Sequence, residues 1–248
     1  MSKLDFNSFN PSINGVKLFI VKQNRLNPTL QLLYRAIKDN RFGKIRMINV
    51  NVFWNRSQSY YDQADWRGTK DLDGGALMNQ ASHYVDLLTW LIGPVEKIQA
   101  MMSTTRNIEC EDTCVMNIKW KDGCLGSMNV TMLTYPENLE GSITVLGDTG
   151  TVKIGGVAVN KITEWKFSDK KDYDVTIDDT NYDTDSVYGF GHNKYYDNAI
   201  QALINNNEES IDGIEGLKSL EILSAAYESF QEKSRLVDLP LDRNIENE

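Results

Sequence analysis

The spacing of apolar residues changes several times along this chain, and each change predicts a different element. The run GVKLFIVKQ (residues 15–23) is a short apolar stretch typical of a strand. Next, NPTLQLLYRAIKDNRFG (27–43) has apolar residues at helical spacing, with an Asn-Pro start and a glycine end, which predicts a helix. The segment KIRMINVNVFWN (44–55) then alternates as a strand does.

A long polar segment separates that strand from a second helix. RSQSYYDQADWRGTKDLDGG (56–75) has the length of a functional or disordered loop, and its aromatic residues argue against disorder. The glycine pair at its end begins a helix that Gly93 and Pro94 terminate. We therefore expect a functional loop followed by one helix over about 74–93.

The remainder of the chain predicts a sheet and two further helices. Between about 95 and 167, short apolar stretches separated by turn signals predict a series of strands. The acidic stretch 168–186 reads as a solvated loop, and two amphipathic helices follow it. This order predicts an α+β fold: a large, mostly antiparallel, open-faced β-sheet with helices packed on one face.

Composition and charge exclude several classes of protein. The 248 residues are 41% hydrophobic and 25% charged, as in globular domains, and 26 basic against 35 acidic side chains give a net charge of −9. An acidic balance disfavours binding to nucleic acid or anionic membranes. No apolar run approaches the roughly 20 residues that cross a bilayer, and no signal peptide is visible, so we expect a cytoplasmic protein.

The cysteines indicate neither a disulfide framework nor a metal site. There are three of them, they lack C-x-x-C spacing, and only two histidines accompany them. We expect reduced thiols and no bound metal.

The segment NQASHYVDLLTW (79–90) carries the first candidate site. Asn79 and His83 lie one helical turn apart, so they share a face of the predicted helix. A histidine can exchange a proton near neutral pH, and Asn79 could orient a hydroxyl or the imidazole. The alternative is a hydrogen-bonded core histidine, with Asp86 pairing to His83 or to a nearby cation.

Other candidates lie outside that helix. Arg25 follows the first predicted strand, where α/β proteins bind ligands and where arginine clamps anions. Trp66 and Arg67 combine a stacking platform with a second anion clamp, and His192 opens the penultimate helix. The alternative for each of these residues is a purely structural role without ligand binding. No G-x-G-x-x-G follows a strand, so the chain lacks the sequence sign of a dinucleotide loop.

Several segments together resemble one protein family. GVKLFIVKQNRLNP, DWRGTKDLDGGALMNQASHYVDLLTWLIGP, the strand series and GFGHNKYYDNAIQAL are similar to the glucose-fructose oxidoreductase, inositol dehydrogenase and MocA (Gfo/Idh/MocA) family. Within it they most resemble the WlbA-like oxidases of UDP-N-acetylglucosaminuronic acid, which oxidise the sugar's 3-hydroxyl. The resemblance covers about residues 15–240.

The resemblance implies roles for particular residues. His83 matches the family's active-site histidine, and Asn79 stands where many members have aspartate. The remaining positions are implied to bind the sugar nucleotide: Gln23, Asn24, Arg25, Asn27, Trp66, Arg67 and His192. The implied reaction transfers hydride from a sugar carbon to NAD, with a nearby base taking the hydroxyl proton.

The chain departs from the family pattern at its beginning. The glycine-rich loop and the Glu-Lys-Pro lysine are not found upstream of Gly15, so residues 1–22 read as an extension plus the last strand of a Rossmann domain. Residues 23–248 read as the substrate and oligomerisation domain. We therefore expect this chain alone to bind no NAD, and a separate Rossmann-domain partner would complete it.

Two functional hypotheses remain open on the sequence. The chain is either the substrate-binding half of a sugar-nucleotide dehydrogenase or a non-catalytic domain that self-associates or binds sugar nucleotides. A third, purely structural domain would retain Asn79 and His83 as relics. The open sheet is expected to expose a large apolar face, which predicts a homodimer or homotetramer.

Overall fold

A computed structural model describes residues 17–184, 186–205 and 213–241. The α-helices are α1 Pro28–Lys38, α2 Gln58–Tyr61, α3 Ser82–Ile92, α4 Ile177–Thr180, α5 Gly191–Ile204 and α6 Gly213–Gln231. Two 3₁₀ segments, Gln23–Leu26 and Asp172–Thr176, and a π-helix, Ala76–Gln80, complete the helical parts. The strands are β1 Ile45–Phe53, β2 Val95–Ser103, β3 Thr113–Trp120, β4 Leu125–Thr131, β5 Glu140–Gly147, β6 Gly150–Gly155, β7 Lys161–Phe167 and β8 Val237–Asp238.

All eight strands join in one sheet, in the order β7-β6-β5-β1-β4-β3-β2-β8. Among the described strands, neighbours run antiparallel except β1 and β4, which pair in parallel with Val50 opposite Met128. The predicted α+β class and the mostly antiparallel sheet are therefore confirmed.

One face of this sheet forms the core, because alternate residues of each strand point toward the helices. On β1 the buried residues are Ile48, Val50 and Val52, and the neighbouring strands supply Met128 and Met116. Helices α3 and α6 cover this face, with α6 lying against β2 and α3 packing on α6. Because α3 packs on α6, and α6 lies against the sheet, the polar side chains of α3 have a defined position relative to the sheet.

Among the described residues, no helix covers the opposite face of the sheet, and this face is more polar than expected. Cross-strand pairs of amides and hydroxyls run through its centre: Asn129 donates to Asn51 at 3.0 Å, and Ser127 donates to Asn49 at 3.3 Å. Exposed apolar residues lie nearer the strand ends, at Met47, Met101, Val115 and Leu125. The prediction of a large exposed apolar face is therefore wrong for the centre of the sheet.

Residues 17–22 do not form the predicted strand. They run beside the last two helices instead: the Lys17 ammonium donates to the carbonyl of Ala202, and Ile20 packs where a side chain on Gly216 would stand. Residues 1–16, which include most of the predicted extension, lie outside the described residues. Among the helices that the structure describes, none is long and apolar enough to span a bilayer.

The acidic stretch predicted as a solvated loop keeps many exposed residues, but it is anchored at Asp169 and Asp174. The buried Arg41 guanidinium donates to Asp174 at 2.6 and 2.9 Å and to Asp169 at 2.9 Å. Its plane lies 4.0 Å from the centre of the Phe167 ring, and Tyr173 is buried beside it. A buried cation with two carboxylates and aromatic neighbours fixes this segment on the end of the sheet. We call this group the Arg41 latch.

Candidate functional site

The 3₁₀ turn Gln23–Leu26 places three polar side chains inside the protein. Gln23, Asn24 and Arg25 are all more than nine-tenths buried. The N-terminus of α5 lies directly on this turn, since a Cβ on Gly191 would stand 1.9 Å from the Gln23 carbonyl oxygen. Glycine is therefore required where the motif GFGH begins the helix, and His192 is brought beside the turn.

The predicted helix over 74–93 is divided into two parts. Residues 76–80 form a π-helix, closed by the bond from the Ala81 N–H to the Ala76 carbonyl, and α3 begins at Ser82. The buried Glu111 carboxylate accepts the Leu77 N–H at 2.9 Å and occupies the space that a side chain on Gly75 would need. The prediction of a single continuous helix is therefore wrong. π-Helical turns of this kind occur often at functional sites.

Asn79 and His83 face one small cavity, as the shared helical face predicts. Its volume is about 90 Å³, and its lining also includes Gln23, Asn24 and Gln80. Pockets that enclose a small molecule measure roughly 300–1,000 Å³. The cavity is therefore too small to enclose a whole sugar nucleotide. Its lining residues can form one wall of a larger ligand site.

The polar atoms around this cavity include several without a hydrogen-bond partner. Within the described residues, the buried atoms lacking one include Gln23 Oε1, Asn24 Oδ1 and His83 Nδ1, together with the Tyr84 hydroxyl. Buried polar atoms are nearly always paired in proteins, and an unpaired one costs about 1–3 kcal/mol. A group of them at one cavity suits a ligand rich in hydroxyl groups.

His83 is neutral at physiological pH. The pKa of its imidazole is lowered to about 4, chiefly by burial and then by the Lys22 ammonium; Asp86 opposes the shift, and His192 contributes a smaller lowering. A neutral imidazole can accept a hydrogen bond from a hydroxyl group and take its proton. The position and protonation of His83 both suit a proton acceptor.

Asp86 pairs with a cation and not with His83. Its carboxylate accepts two hydrogen bonds of 2.7 Å from the Arg25 guanidinium, and the Lys22 ammonium lies 3.7 Å away. Glu215 reaches the same guanidinium at 3.3 Å. Burial works against the charged form of Arg25, but its carboxylate partners raise its pKa. The sequence predicts that the Arg25 guanidinium binds a ligand, but in the structure it binds Asp86. This ion pair fixes the 3₁₀ turn against α3.

Asn27 and His192 lie at the edge of this region. The Asn27 amide is buried, has no partner among the described side chains, and packs beside Gly189 and the Tyr182 hydroxyl. His192 is half-buried, with the Tyr188 ring centre 6.2 Å from its own. Neither residue lines the cavity directly, whereas Tyr188 does.

Trp66 and Arg67 lie at a second cleft of about 250 Å³, which Arg67 lines. Asp73 joins the two places: its carboxylate accepts the Asn79 amide and, at 2.6 Å, the Gly68 N–H. The loop that carries Arg67 is therefore tied directly to a residue of the cavity.

Sequence reasoning missed several residues of the cavity. Trp54, Gln80, Tyr84, Val187 and Tyr188 line it with the predicted ones. Gln80 follows Asn79, but the π-helix, which turns it inward, has no clear sequence sign. Trp54 directly follows β1, where the long polar segment begins, and that position was the available signal.

Metal binding has no basis in the described residues, where no three His, Cys, Asp or Glu side chains converge. Cys110, Cys114 and Cys124 are buried free thiols, and burial raises the pKa of each.

Comparison with protein families gives one clear match. The family described as "Oxidoreductase family, C-terminal alpha/beta domain" matches residues 35–239. An uncharacterised oxidoreductase of Synechocystis is 21% identical over 144 residues, which are 53% of this chain and 38% of that protein.

Solved structures give a closer likeness. The WlbA dehydrogenase of Chromobacterium violaceum, in complex with NADH and UDP-GlcNAcA, is 57% identical with a TM-score of 0.87; the match covers 94% of this chain and 65% of that one. The corresponding Bordetella pertussis enzyme, with the same ligands, is 58% identical with a TM-score of 0.89 and coverages of 93% and 67%. This chain thus spans about two thirds of their length.

Proposed function

Because this chain belongs to the Gfo/Idh/MocA oxidoreductase family, we propose that it forms the substrate side of an NAD-dependent dehydrogenase of UDP-sugars. The resemblance that the sequence predicted is confirmed by the family match and by the identity to the WlbA dehydrogenases. Those two enzymes bind NADH and UDP-GlcNAcA, so the proposed substrate is a UDP-linked N-acetylhexosamine or its uronic acid.

One observation carries the proposal: the unpartnered polar atoms at the cavity surround a neutral histidine. Gln23, Asn24 and His83 each present a buried atom that has no partner among the described residues. A pyranose ring would satisfy them through its hydroxyl groups, each of which both donates and accepts. The orientation of a sugar at His83 then follows from the amides on either side.

The described residues do not fit a dinucleotide cofactor. A dinucleotide binds where a glycine-rich turn leads from a strand into a helix, and residues 17–22 form no strand before the 3₁₀ turn. We therefore assign this chain the sugar-binding role alone, with NAD held by a dinucleotide-binding unit outside these residues.

His83 and Asn79 have distinct roles in this proposal. His83 accepts the hydrogen bond of the sugar 3-hydroxyl and receives its proton. Its low pKa makes it a weak base without ligand, and the negative charge of a bound uronic acid would raise that pKa. The Asn79 amide, whose nitrogen donates to Asp73, offers its oxygen to a neighbouring hydroxyl.

A binding measurement tests this function on the purified chain. We expect UDP-GlcNAcA to raise the melting temperature and to bind in calorimetry, because a ligand of the folded state stabilises it by mass action. His83→Gln and Asn79→Ala should each weaken binding by about tenfold or more, the effect of losing one or two buried hydrogen bonds. Asn198→Ala, at an exposed amide on α5, is the matched control.

Three outcomes would contradict the proposal in whole or in part. An absence of binding of any UDP-sugar at millimolar concentration would remove the sugar-binding role. Stabilisation by NAD alone would show that the cofactor is held by this chain. Retention of UDP-sugar binding without oxidation, even after a dinucleotide-binding partner is added, would favour the non-catalytic alternative.

We further propose that the chain self-associates through the open face of its sheet. The amide pairs of β1 and β4 and the exposed Met47 and Leu125 offer a flat, mixed surface for a second copy. Sedimentation should give a dimer or tetramer, and Asn129→Arg should yield monomers. A wild-type monomer at micromolar concentration would contradict this.

A further inference from the structure

The π-helix Ala76–Gln80 is held by a buried residue from outside the helix. Glu111, which lies just before β3, is 6% exposed. Its side-chain Oε1 accepts the Leu77 N–H at 2.9 Å, and its backbone carbonyl accepts the Ala76 N–H at 2.8 Å. Both N–H groups belong to the first turn of the helix, where no helical carbonyl can accept them. Glu111 therefore supplies the acceptors for the start of the π-helix.

A second element, α6, contacts the same carboxylate. The Tyr227 hydroxyl on α6 donates to Glu111 Oε1 at 2.8 Å. Burial raises the pKa of Glu111, whereas the hydrogen bonds from the Leu77 N–H and the Tyr227 hydroxyl lower it by stabilising the charged form. The carboxylate is thus fixed from two sides, by the chain that enters β3 and by α6.

Gly75 leaves the space that this carboxylate occupies. A Cβ on Gly75 would overlap the carboxylate carbon and both carboxylate oxygens of Glu111. The backbone angles of Gly75, φ −99° and ψ −163°, lie in the extended region that any residue can adopt. Glycine is therefore needed here for the space that it leaves and not for its conformational freedom.

The π-helical bonding decides where two side chains of the cavity point. The Ala81 N–H donates to the Ala76 carbonyl, five residues earlier, at 2.9 Å. In an α-helix the Gln80 N–H would take that place, and a shift of one residue rotates a side chain by roughly 100° about the helix axis. Asn79 and Gln80 line the cavity beside His83 in the present bonding. Relaxation to an α-helix would turn both of them away from it.

The other contacts of these two side chains act at their ends. The Asn79 amide nitrogen donates to Asp73, and the Gln80 amide oxygen accepts the Arg56 guanidinium at 3.0 Å. Neither hydrogen bond reaches the backbone of the first turn, which Glu111 holds. The direction in which the two side chains leave the helix therefore depends on the Glu111 contact.

We propose that Glu111 is a positioning residue for the sugar site: its carboxylate keeps residues 76–80 in the π-helical bonding that presents Asn79 and Gln80 to the cavity. The proposal rests on the sugar-binding function proposed above, and it adds a residue that acts on the site through the backbone. Glu111 was not among the sequence candidates, because it lies 34 residues from Leu77, whose N–H it binds.

Amide hydrogen exchange of the full chain tests the positioning without any ligand. We expect Glu111→Ala to speed exchange at Leu77 and Asn79 by about tenfold or more, because the first turn loses its acceptor and opens. Exchange in the second half of α3 should stay unchanged. Glu111→Gln should restore most of the protection, since it keeps an oxygen for the Leu77 N–H. Ser229→Ala is the matched control, because Ser229 Oγ is another buried oxygen that accepts a backbone N–H, at 2.9 Å, away from this turn.

Gly75→Ala gives a second test that leaves Glu111 in place. The added methyl group should displace the carboxylate, so that exchange at Leu77 rises as it does in Glu111→Ala. In the Glu111→Ala background the same substitution should change exchange by less than about twofold, because the overlapping group is gone. Independent, additive effects of the two substitutions would contradict the contact.

A double-variant cycle on UDP-GlcNAcA binding tests the link to the sugar site. We expect Glu111→Ala to weaken binding about tenfold, as Asn79→Ala does, and Glu111→Gln to weaken it by less than about threefold. In the Asn79→Ala background Glu111→Ala should cost about threefold at most, since only Gln80 is left to be misplaced. In the His83→Gln background it should again cost about tenfold. A residue that only stabilises the fold would show no such coupling, and urea unfolding of each variant ensures that folded proteins are compared.

The two measurements separate this inference from the proposed function. Unchanged exchange at Leu77 and Asn79 in Glu111→Ala would overturn the positioning role, and so would an equal loss of binding in the wild-type and Asn79→Ala backgrounds. If the wild type binds no UDP-sugar while exchange at Leu77 depends on Glu111, the sugar-binding function is wrong and Glu111 still determines the π-helix. If binding depends on His83 and Asn79 but not on Glu111, the function stands and the positioning role is wrong.

Discussion

Two buried arginines, Arg25 and Arg41, show how similar ion pairs serve different ends in one chain. Each guanidinium is more than nine-tenths buried and contacts two carboxylates. Around Arg41 the remaining space is filled by rings, with Phe167 at 4.0 Å and Tyr173 at 5.2 Å. Around Arg25 the neighbours are the Trp90 ring, with its centre 5.8 Å away, and Lys22, which shares Asp86 with Arg25.

The difference lies in the polar atoms that each network leaves unpaired. The Arg41 latch has its donors directed to Asp169 and Asp174, and Trp165 donates to Asp174 as well. Beside Arg25, the buried Gln23 Oε1 and Asn24 Oδ1 have no partner among the described residues. A satisfied network stabilises a segment, whereas a network bordered by unpaired groups is positioned to hold a ligand.

The largest effect should follow from Asp86→Ala. Asp86 is 1% exposed, and its loss would leave Arg25 and Lys22 as two buried cations with only the half-buried Glu215 nearby. Removing one partner of a buried pair costs about 3–5 kcal/mol. Urea unfolding should report that loss of unfolding free energy. A change near zero would mean that water reaches Arg25 easily, and the contrast with the Arg41 latch would then fail.

The next effect concerns pH and separates the two regions. The pKa of His83 is about 4 in the folded state, against an ordinary value of 6.5. As pH falls from 6.5 to 4, the unfolded state takes up a proton that the folded state does not. Stability therefore falls over this window, by on the order of 2–3 kcal/mol.

His83→Gln should remove that part of the pH dependence. Unfolding free energies measured at pH 4, 5, 6 and 7 would give a shallower slope for the variant. Arg41→Gln, in the latch, should keep the wild-type slope between pH 5 and 6.5, above the range in which the Asp174 carboxyl that it pairs with titrates. Equal slopes in the wild type and His83→Gln would mean that His83 titrates normally and is not shielded from water.

The smallest effect should follow from Arg41→Gln itself. Its carboxylate partners are partly exposed, with side-chain exposures of 42% for Asp169 and 24% for Asp174, so water can solvate them once the guanidinium is gone. We expect a loss of about 2 kcal/mol from the missing hydrogen bonds and ring contacts. UDP-GlcNAcA binding should be unchanged, and the exposed Arg46→Gln should have little effect on stability. A loss greater than that of Asp86→Ala would reverse the proposed ranking.

The fold was largely predictable because its signals are local. Alternation in β1 through β7 and the helical spacing of α1, α5 and α6 follow from which side chains must face the core. One prediction failed for a reason that the chain does not carry locally, since residues 17–22 pack on helices rather than pairing as a strand. The ion pairs that anchor Asp169 and Asp174 were not foreseen either, because Arg41 lies more than 120 residues earlier.

The candidate site was predictable in part. Four of the cavity residues were predicted from the sequence. The motif around Asn79 and His83 gave two of them, and the resemblance of KQNR to a known family gave Gln23 and Asn24. The sequence did not show that Arg25 pairs with Asp86, whereas Arg67 has no carboxylate partner among the described residues. Both arginines look alike in sequence, and the position of Asp86 on a distant helix distinguishes them.

The sequence by itself determined the class of fold, the family and the polar residues that could meet a sugar nucleotide, because periodicity and motifs are properties of neighbouring residues. The tertiary structure decided which of those residues are available. It paired Arg25 with Asp86, left His83 half-buried with a lowered pKa, and placed Arg56 and Arg67 against the same Tyr60 ring. Charge compensation and desolvation depend on what lies across space, and spacing along the chain does not encode them.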